Sequence, residues 1–142
     1  MKRYRFRLEQ VLRVRRVQEE QARHRVHAAQ RDVIRADEVV DQRLESYHNG
    51  NSAVSGSQQH FLAQRTLVEL RAMAVERSRD EAVAARVVHR DRLADWSHTA
   101  QRVEALERLD GRRRDEYSVD ERRDEDRTVD EMVSGRRSRR SE

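Results

Sequence analysis

The chain has 142 residues, of which 41% are charged, 35% hydrophobic and 4% aromatic, with a formal net charge of +4. A compact globular domain draws nearly half of its residues from apolar types, so this composition excludes a thick hydrophobic core. Mixed, nearly balanced charge with many helix formers is instead typical of long helices and coiled coils. Proline and cysteine are absent, which permits very long helices and excludes disulfides and cysteine-based metal sites. We expect an all-α protein with one domain, residues 1–142.

A first helix is predicted over residues 4–47. From Ala22 to Val40, small apolar residues recur at alternating spacings of four and three, which is a heptad pattern. The members of this series are Ala22, Val26, Ala29, Val33, Ala36 and Val40. The sequence therefore predicts a coiled-coil contact along this helix.

A loop is predicted over residues 48–57, because its Asn-Gly and Ser-Gly steps are turn signals. Ser57 is placed to cap a second helix, predicted over residues 58–133, before a basic tail at 134–142 that we expect to be disordered. The apolar series of this helix is less regular, because Arg77 and Asp80 interrupt it. Its members are Leu62, Thr66, Leu70, Met73, Ala84, Val88, Leu93, Trp96, Ala100, Val103 and Leu106. Gly111 is either a soft point or a break in the helix.

Two long helices joined by one loop predict an antiparallel two-helix coiled-coil hairpin whose second helix is much the longer. Folding the chain about the middle of the loop places Val33 near Ala72 and Leu8 near Ser97. More than thirty residues of the second helix then extend past the first as a polar overhang. That overhang is either a fraying, solvated helix or a segment that another protein surrounds.

The two ends of the chain are basic. Residues 1–16 contain seven basic residues and one acidic residue, and four arginines lie within 136–140. Such ends favour anionic partners.

The few aromatic residues fall at the predicted ends of the hairpin. Tyr4, Phe6 and Trp96 are expected to pack together at the end that bears both termini. Tyr47 and Phe61, with Leu44 and Leu62, flank the loop, where they exceed what the end of a coiled coil needs and indicate a docking patch. Tyr117 has no expected neighbour, so it is either incidental or an anchor for a partner.

Nothing in the sequence indicates an enzyme, since no phosphate loop, HExxH motif or nucleophile elbow is present. No catalytic residue and no cofactor is assigned. His24 and His27 share a helix face with Glu81 roughly opposite, but a metal site needs more fixed ligands, so no metal is assigned either. The arginines are interleaved with acids and lack an aromatic platform, which argues against specific nucleic-acid binding. No apolar run reaches the length of a transmembrane helix, and no signal-peptide core is present.

Two stretches resemble the FliJ family of flagellar export proteins. "YRFRLEQVLRVRRVQEE" (4–20) is similar to the family's opening, with an aromatic-rich start, an aliphatic pair and a switch from basic to acidic residues. "ALERLDGRRRDEYSVDERRDEDRTVDEM" (105–132) is similar to its closing helix. Length, loop position and the longer second helix agree as well. Gly111 and the polar positions Arg77 and Asp80 depart from the pattern.

This resemblance implies a non-enzymatic stalk, similar to the central stalk of rotary ATPases, in the type III export apparatus of the flagellum. The terminal end would enter the hexameric export ATPase, the loop end would face the membrane export gate, and substrate chaperones would also be contacted. The chain would work in the cytoplasm, at the membrane face, through that apparatus. The expected ATPase-binding residues are Arg5, Arg7, Arg112, Arg113 and Tyr117. The expected gate-docking residues are Leu44, Tyr47, Phe61 and Leu62.

Three other roles stay open on the sequence. The first is the equivalent stalk of a virulence-type secretion system, which would share the fold. The second is a basic helical scaffold that binds nucleic acid or a membrane surface. The third is an ordinary homodimeric coiled coil.

Overall fold

The computed structural model describes residues 4–50 and 56–138, with side chains up to residue 133. Its two helices are α1, Glu9–Asn49, and α2, Gln58–Ser138. Within the described ranges there are no strands. The predicted all-α fold, a two-helix coiled-coil hairpin with the longer helix second, is confirmed.

The helix ends follow local chemistry. Residues 4–8 precede α1, and the amide of Glu9 donates to the carbonyl of Phe6 at 3.2 Å, so α1 starts five residues later than predicted. The amide of His60 donates to Oγ of Ser57 at 3.4 Å, which confirms Ser57 as the cap of α2. Half of the predicted loop, residues 51–55, and residues 139–142 of the basic tail lie outside the described residues. The backbone of α2 continues to Ser138, five residues past the predicted end.

Two compact units make up the chain. The central unit comprises residues Gln18–Thr99, and the terminal unit comprises Met1–Val17 with Ala100–Glu142. Each contains a segment of α1 and a segment of α2.

In the central unit, α1 presents the predicted heptad series to α2. Ala22, Val26 and Ala29 are buried, and Val33, Ala36 and Val40 continue the series as half-buried positions. The facing side of α2 is built from Val75, Ser78 and Ala82, all buried. Ser78 is the buried polar member, and its hydroxyl donates to the carbonyl of Val75 at 2.8 Å, so its burial leaves no hydrogen bond unmade.

The early part of the predicted α2 contact series is wrong. Leu62, Leu70, Met73 and Val88 are exposed, and the buried positions of α2 are Val75, Ser78 and Ala82, of which Val75 lies two residues from Met73. Two residues correspond to 200° around a helix, so the prediction selected the opposite face. Later members of the series were placed correctly, since Trp96, Ala100, Val103 and Leu106 are half-buried, each within its own unit.

Cross-helix contacts in the central unit show that the helices are antiparallel. Asp37 accepts a hydrogen bond from Arg86, and Glu19 accepts one from the indole of Trp96. At the end of α1, the side-chain amide nitrogen Nε2 of Gln64 donates to the backbone carbonyl of Gly50 at 3.5 Å. Positions that rise along α1 therefore meet positions that fall along α2.

The predicted pairing of positions was also wrong. The contacts of Asp37 and Glu19 place Val33 opposite residues 82–90 of α2, whereas the sequence had placed it near Ala72. The cause is at the loop, because residues 58–63 are exposed and α1 first meets α2 near Gln64. The prediction folded the chain about the middle of the loop, and it therefore assumed that α2 pairs with α1 from its first residue.

In the terminal unit, the segment before α1 packs on the far part of α2. Leu12 is buried, Leu8 lines a concavity with Leu109, and Arg16 pairs with Glu107 at 2.7 Å. The predicted neighbour of Leu8 was Ser97. The overhang therefore starts later than expected, since α2 is half-buried at Tyr117 and exposed throughout 122–133.

Gly111 does not interrupt α2, because the helix runs through it without a break. A methyl group added there would meet no atom within 4 Å.

We predict that Gly111→Ala raises the free energy of unfolding by up to about 1 kcal/mol, since alanine loses less backbone entropy in a helix. Urea unfolding followed by far-UV circular dichroism measures this. Gly50→Ala should bring no such gain, because its methyl group would displace the Arg71 guanidinium. A lower free energy of unfolding for Gly111→Ala than for wild type would contradict the finding that an added methyl group meets no atom there.

Spin labels can decide between the two pairings. Met73 and Val88 are both exposed on the same side of α2, and Ile34 is exposed on α1. The observed pairing predicts a shorter label distance for positions 34 and 88 than for 34 and 73. The pairing expected from the sequence predicts the reverse, because the two α2 positions are separated by about 22 Å along the axis. Double electron–electron resonance on the two doubly labelled chains makes the comparison.

Candidate docking sites at the terminal and loop ends

Tyr4 organises the terminal unit. Its hydroxyl donates to Oδ1 of Asp110 at 2.8 Å, and its ring lies 5.7 Å, centroid to centroid, from the ring of Tyr117. The guanidinium carbon of Arg114 is 5.8 Å from the centroid of the Tyr4 ring, and Arg114 also pairs with Asp110 at 3.0 Å. The Tyr4 cluster, defined as Tyr4, Asp110, Arg114 and Tyr117, fixes the segment before α1 to α2.

These contacts correct two expectations. Tyr4 and Phe6 were expected to pack with Trp96, but Trp96 belongs to the central unit, where it donates to Glu19. Tyr117 was expected to lack a neighbour within the chain, and its ring instead lies against that of Tyr4. Both errors follow from the wrong pairing of positions. The sequence carries one signal for the cluster, because Asp110 and Arg114 are four residues apart and can form an ion pair along one helix.

Four of the five predicted ATPase-binding residues line one concavity of about 760 Å³ in the terminal unit. These are Arg5, Arg7, Arg113 and Tyr117. Phe6, Leu8 and Leu109 contribute apolar surface to the same concavity. Arg112 is exposed but does not line it. Arg113 is held at 2.9 Å by Glu116, whereas Arg5 and Arg7 form no ion pair within the described ranges.

The phenol of Tyr4 titrates differently from a free tyrosine. Burial raises the pKa of Tyr4 above 10.0, and the hydrogen bond to the Asp110 carboxylate and the charge of that carboxylate raise it further. All three effects disfavour the phenolate. The neutral phenol therefore stabilises the fold at all pH values below 10, and that contribution is lost as the pH rises through the raised pKa.

We predict that Tyr4→Phe lowers the urea midpoint at neutral pH, because the ring stays while the hydrogen bond to Asp110 is lost. The difference between wild type and variant should shrink as the pH rises above about 10, because the phenol ionises there in the unfolded chain and only at a higher pH in the folded chain. Urea titrations at several alkaline pH values measure it. Tyr47→Phe is the control, since the Tyr47 hydroxyl makes no hydrogen bond within the described residues. A difference that grows with pH would contradict the assigned donor and acceptor.

The four residues predicted to form the loop-end patch lie in two separate places. Leu44 and Tyr47 are half-buried and line a groove of about 640 Å³ with Met73, Arg77 and other residues of α2. Phe61 is 64% exposed, Leu62 is 54% exposed, and neither lines that groove. At 1.5 Å per residue, Phe61 lies about 18 Å along α2 from Met73. The single predicted patch is therefore a groove and a separate exposed pair.

Within the described residues, no group of three histidines, acids or cysteines could hold a metal ion. His24 lies 3.8 Å from Glu20 on its own helix, and Glu81 is exposed on α2. None of the described helices is long and apolar enough to cross a bilayer.

The described residues form an antiparallel two-helix hairpin, so the chain belongs to the class of two-helix coiled-coil proteins. Comparison with protein-family models matches residues 4–142 to the flagellar FliJ protein family. The chain belongs to this family, and it is therefore a component of flagellar protein export. Comparisons with curated proteins and with solved structures found no match.

Proposed function

We propose that this chain is the non-enzymatic stalk that couples the hexameric export ATPase to the membrane export gate and contacts substrate chaperones. The observation that carries the proposal is the match of nearly the whole chain to the FliJ family, on a hairpin with a distinct surface at each end. The chain would act at the cytoplasmic face of the membrane, through the export apparatus.

The terminal unit would be the ATPase-binding end. Its concavity combines exposed arginines with the aromatic ring of Tyr117, and arginine and tyrosine are the types enriched in binding hot spots. Arg5 and Arg7 are available for carboxylates of a partner, since they have no ion pair within the described part of the chain. Arg112 and Arg113 would extend the same basic surface along α2.

The exposed end of α2 supports an enclosing partner. Every described side chain from Arg122 to Val133 is exposed, and Val129, Met132 and Val133 share one face of this polar stretch. Spacings of three and four residues are how a helix offers apolar anchors to a surrounding groove. A ring that receives the terminal end would cover these side chains.

The loop end would dock on the gate. Phe61 and Leu62 are large apolar side chains exposed beyond the first contact of α2 with α1. Exposed apolar side chains grouped in this way mark interaction surfaces. The groove at Leu44 and Tyr47 provides a second contact for the same partner.

Two sets of substitutions separate the ends. We predict that Arg5→Glu with Arg7→Glu weakens binding to the cognate export ATPase about tenfold or more and reduces ATPase stimulation, because like charges would face each other. Gate binding should persist. Phe61→Ala with Leu62→Ala should weaken gate binding and leave ATPase binding intact. Biolayer interferometry with each purified partner and a phosphate-release assay provide the readouts.

Controls are available in the same chain. Arg90→Glu reverses an exposed charge in the central unit, and Val129→Ala removes an exposed apolar side chain from the terminal unit. The first should leave ATPase binding unchanged, and the second should leave gate binding unchanged. Full ATPase binding by the double arginine variant would refute the assignment of the terminal end. If either double substitution abolished both activities, unfolding would be the explanation, and far-UV circular dichroism would detect it.

A further inference from the structure

α2 has a second apolar face in the central unit, on the side opposite its contact with α1. The outer face is defined as the positions that recur three or four apart from Leu62 to Val88. Its members are Leu62, Thr66, Leu70, Met73, Arg77, Asp80, Ala84 and Val88, all exposed. Met73 is 62% exposed although it lies two residues from the buried Val75. None of these side chains is buried against α1 in the described part of the chain, although Met73, Arg77 and Asp80 reach the groove that Leu44 and Tyr47 also line.

The two charges at the centre of the outer face are unpaired. Arg77 and Asp80 form no ion pair or hydrogen bond within the described residues. Other arginines of the same stretch do, since Arg65 pairs with Glu69 at 3.2 Å and Arg79 pairs with Glu76 at 2.7 Å. An arginine and an aspartate therefore remain available at the middle of an apolar surface.

We propose that the outer face binds the outer face of a second copy in an antiparallel, two-fold symmetric dimer. A two-fold axis between positions 78 and 79 places Arg77 of each copy opposite Asp80 of the other, which makes two equivalent ion pairs. In a parallel arrangement, Arg77 would face Arg77 and Asp80 would face Asp80. Charge complementarity therefore selects the antiparallel arrangement.

The apolar positions fit the same axis. Met73 of one copy meets Ala84 of the other, so a long side chain faces a small one. Leu70 falls opposite position 87, next to Val88, and both Leu70 and Val88 are about half exposed in the single chain. Large-to-small complementarity of this kind allows two helices to approach closely.

The dimer goes beyond the proposed function and also bears on it. Met73, Arg77 and Asp80 line the loop-end groove as well as the outer face. A second copy on the outer face would cover that groove. If the groove contacts the gate as proposed above, dimerisation and gate binding would exclude each other.

Sedimentation equilibrium of the full chain across the micromolar range tests the dimer. Wild type should show a reversible monomer–dimer equilibrium. Arg77→Asp alone and Asp80→Arg alone should each weaken it about tenfold or more, because each places like charges face to face. The double variant carrying both substitutions should restore it, because the charges exchange positions and the net charge returns to that of wild type. Arg90→Asp makes the same charge change away from the outer face and should have no effect.

Three results would overturn the proposal. The first is a wild-type chain that stays monomeric at every concentration. The second is a dimer that Arg77→Asp leaves unchanged, which would place the contact elsewhere. The third is a double variant as weak as the single variants although far-UV circular dichroism shows intact helices. None of these experiments measures ATPase or gate binding, so the dimer can fail while the proposed function stands.

Discussion

The close approach of α1 and α2 through small side chains determines the rest of the central unit. Ala22, Ala29, Ser78 and Ala82 are all buried, and none of them has a long side chain. Two helices that meet through such residues bring their backbones near each other, and larger side chains at the same positions would hold them apart. The larger apolar residues of α2 are consequently on the outside. A narrow contact between the helices and an apolar outer face are thus two results of one constraint.

This constraint also explains what could be predicted from the sequence. The heptad series of α1 was recognisable because its six apolar residues recur without a gap from Ala22 to Val40. On α2 two candidate faces compete, and the face with larger side chains gives the stronger signal. Size is a poor guide here, because a thin coiled coil selects residues that fit between two backbones rather than residues that bury the most area. Ser78 could not be predicted as a contact residue for the same reason, because its small side chain buries little area.

The pairing of positions was unpredictable for a different reason. A fold-back centred on the loop treats both helices as paired from their first residue, but α1 meets α2 near Gln64 and Arg71. No local pattern encodes this offset, which depends on which faces meet along the whole contact. The error propagated to the terminal unit, where Tyr4 was assigned to Trp96 instead of Asp110 and Tyr117. By contrast, the Ser57 cap depends only on neighbouring residues and was predicted correctly.

Trp96 is the only tryptophan in the chain, and it is half-buried with its indole N–H donated to the carboxylate of Glu19. The emission of an indole depends on its exposure to water and on its hydrogen bonds. Separation of α1 from α2 at this point would remove the Glu19 carboxylate and admit water, and the emission maximum would move to longer wavelength. The emission wavelength of this native fluorophore therefore reports whether α1 and α2 are packed at this point, without any added label.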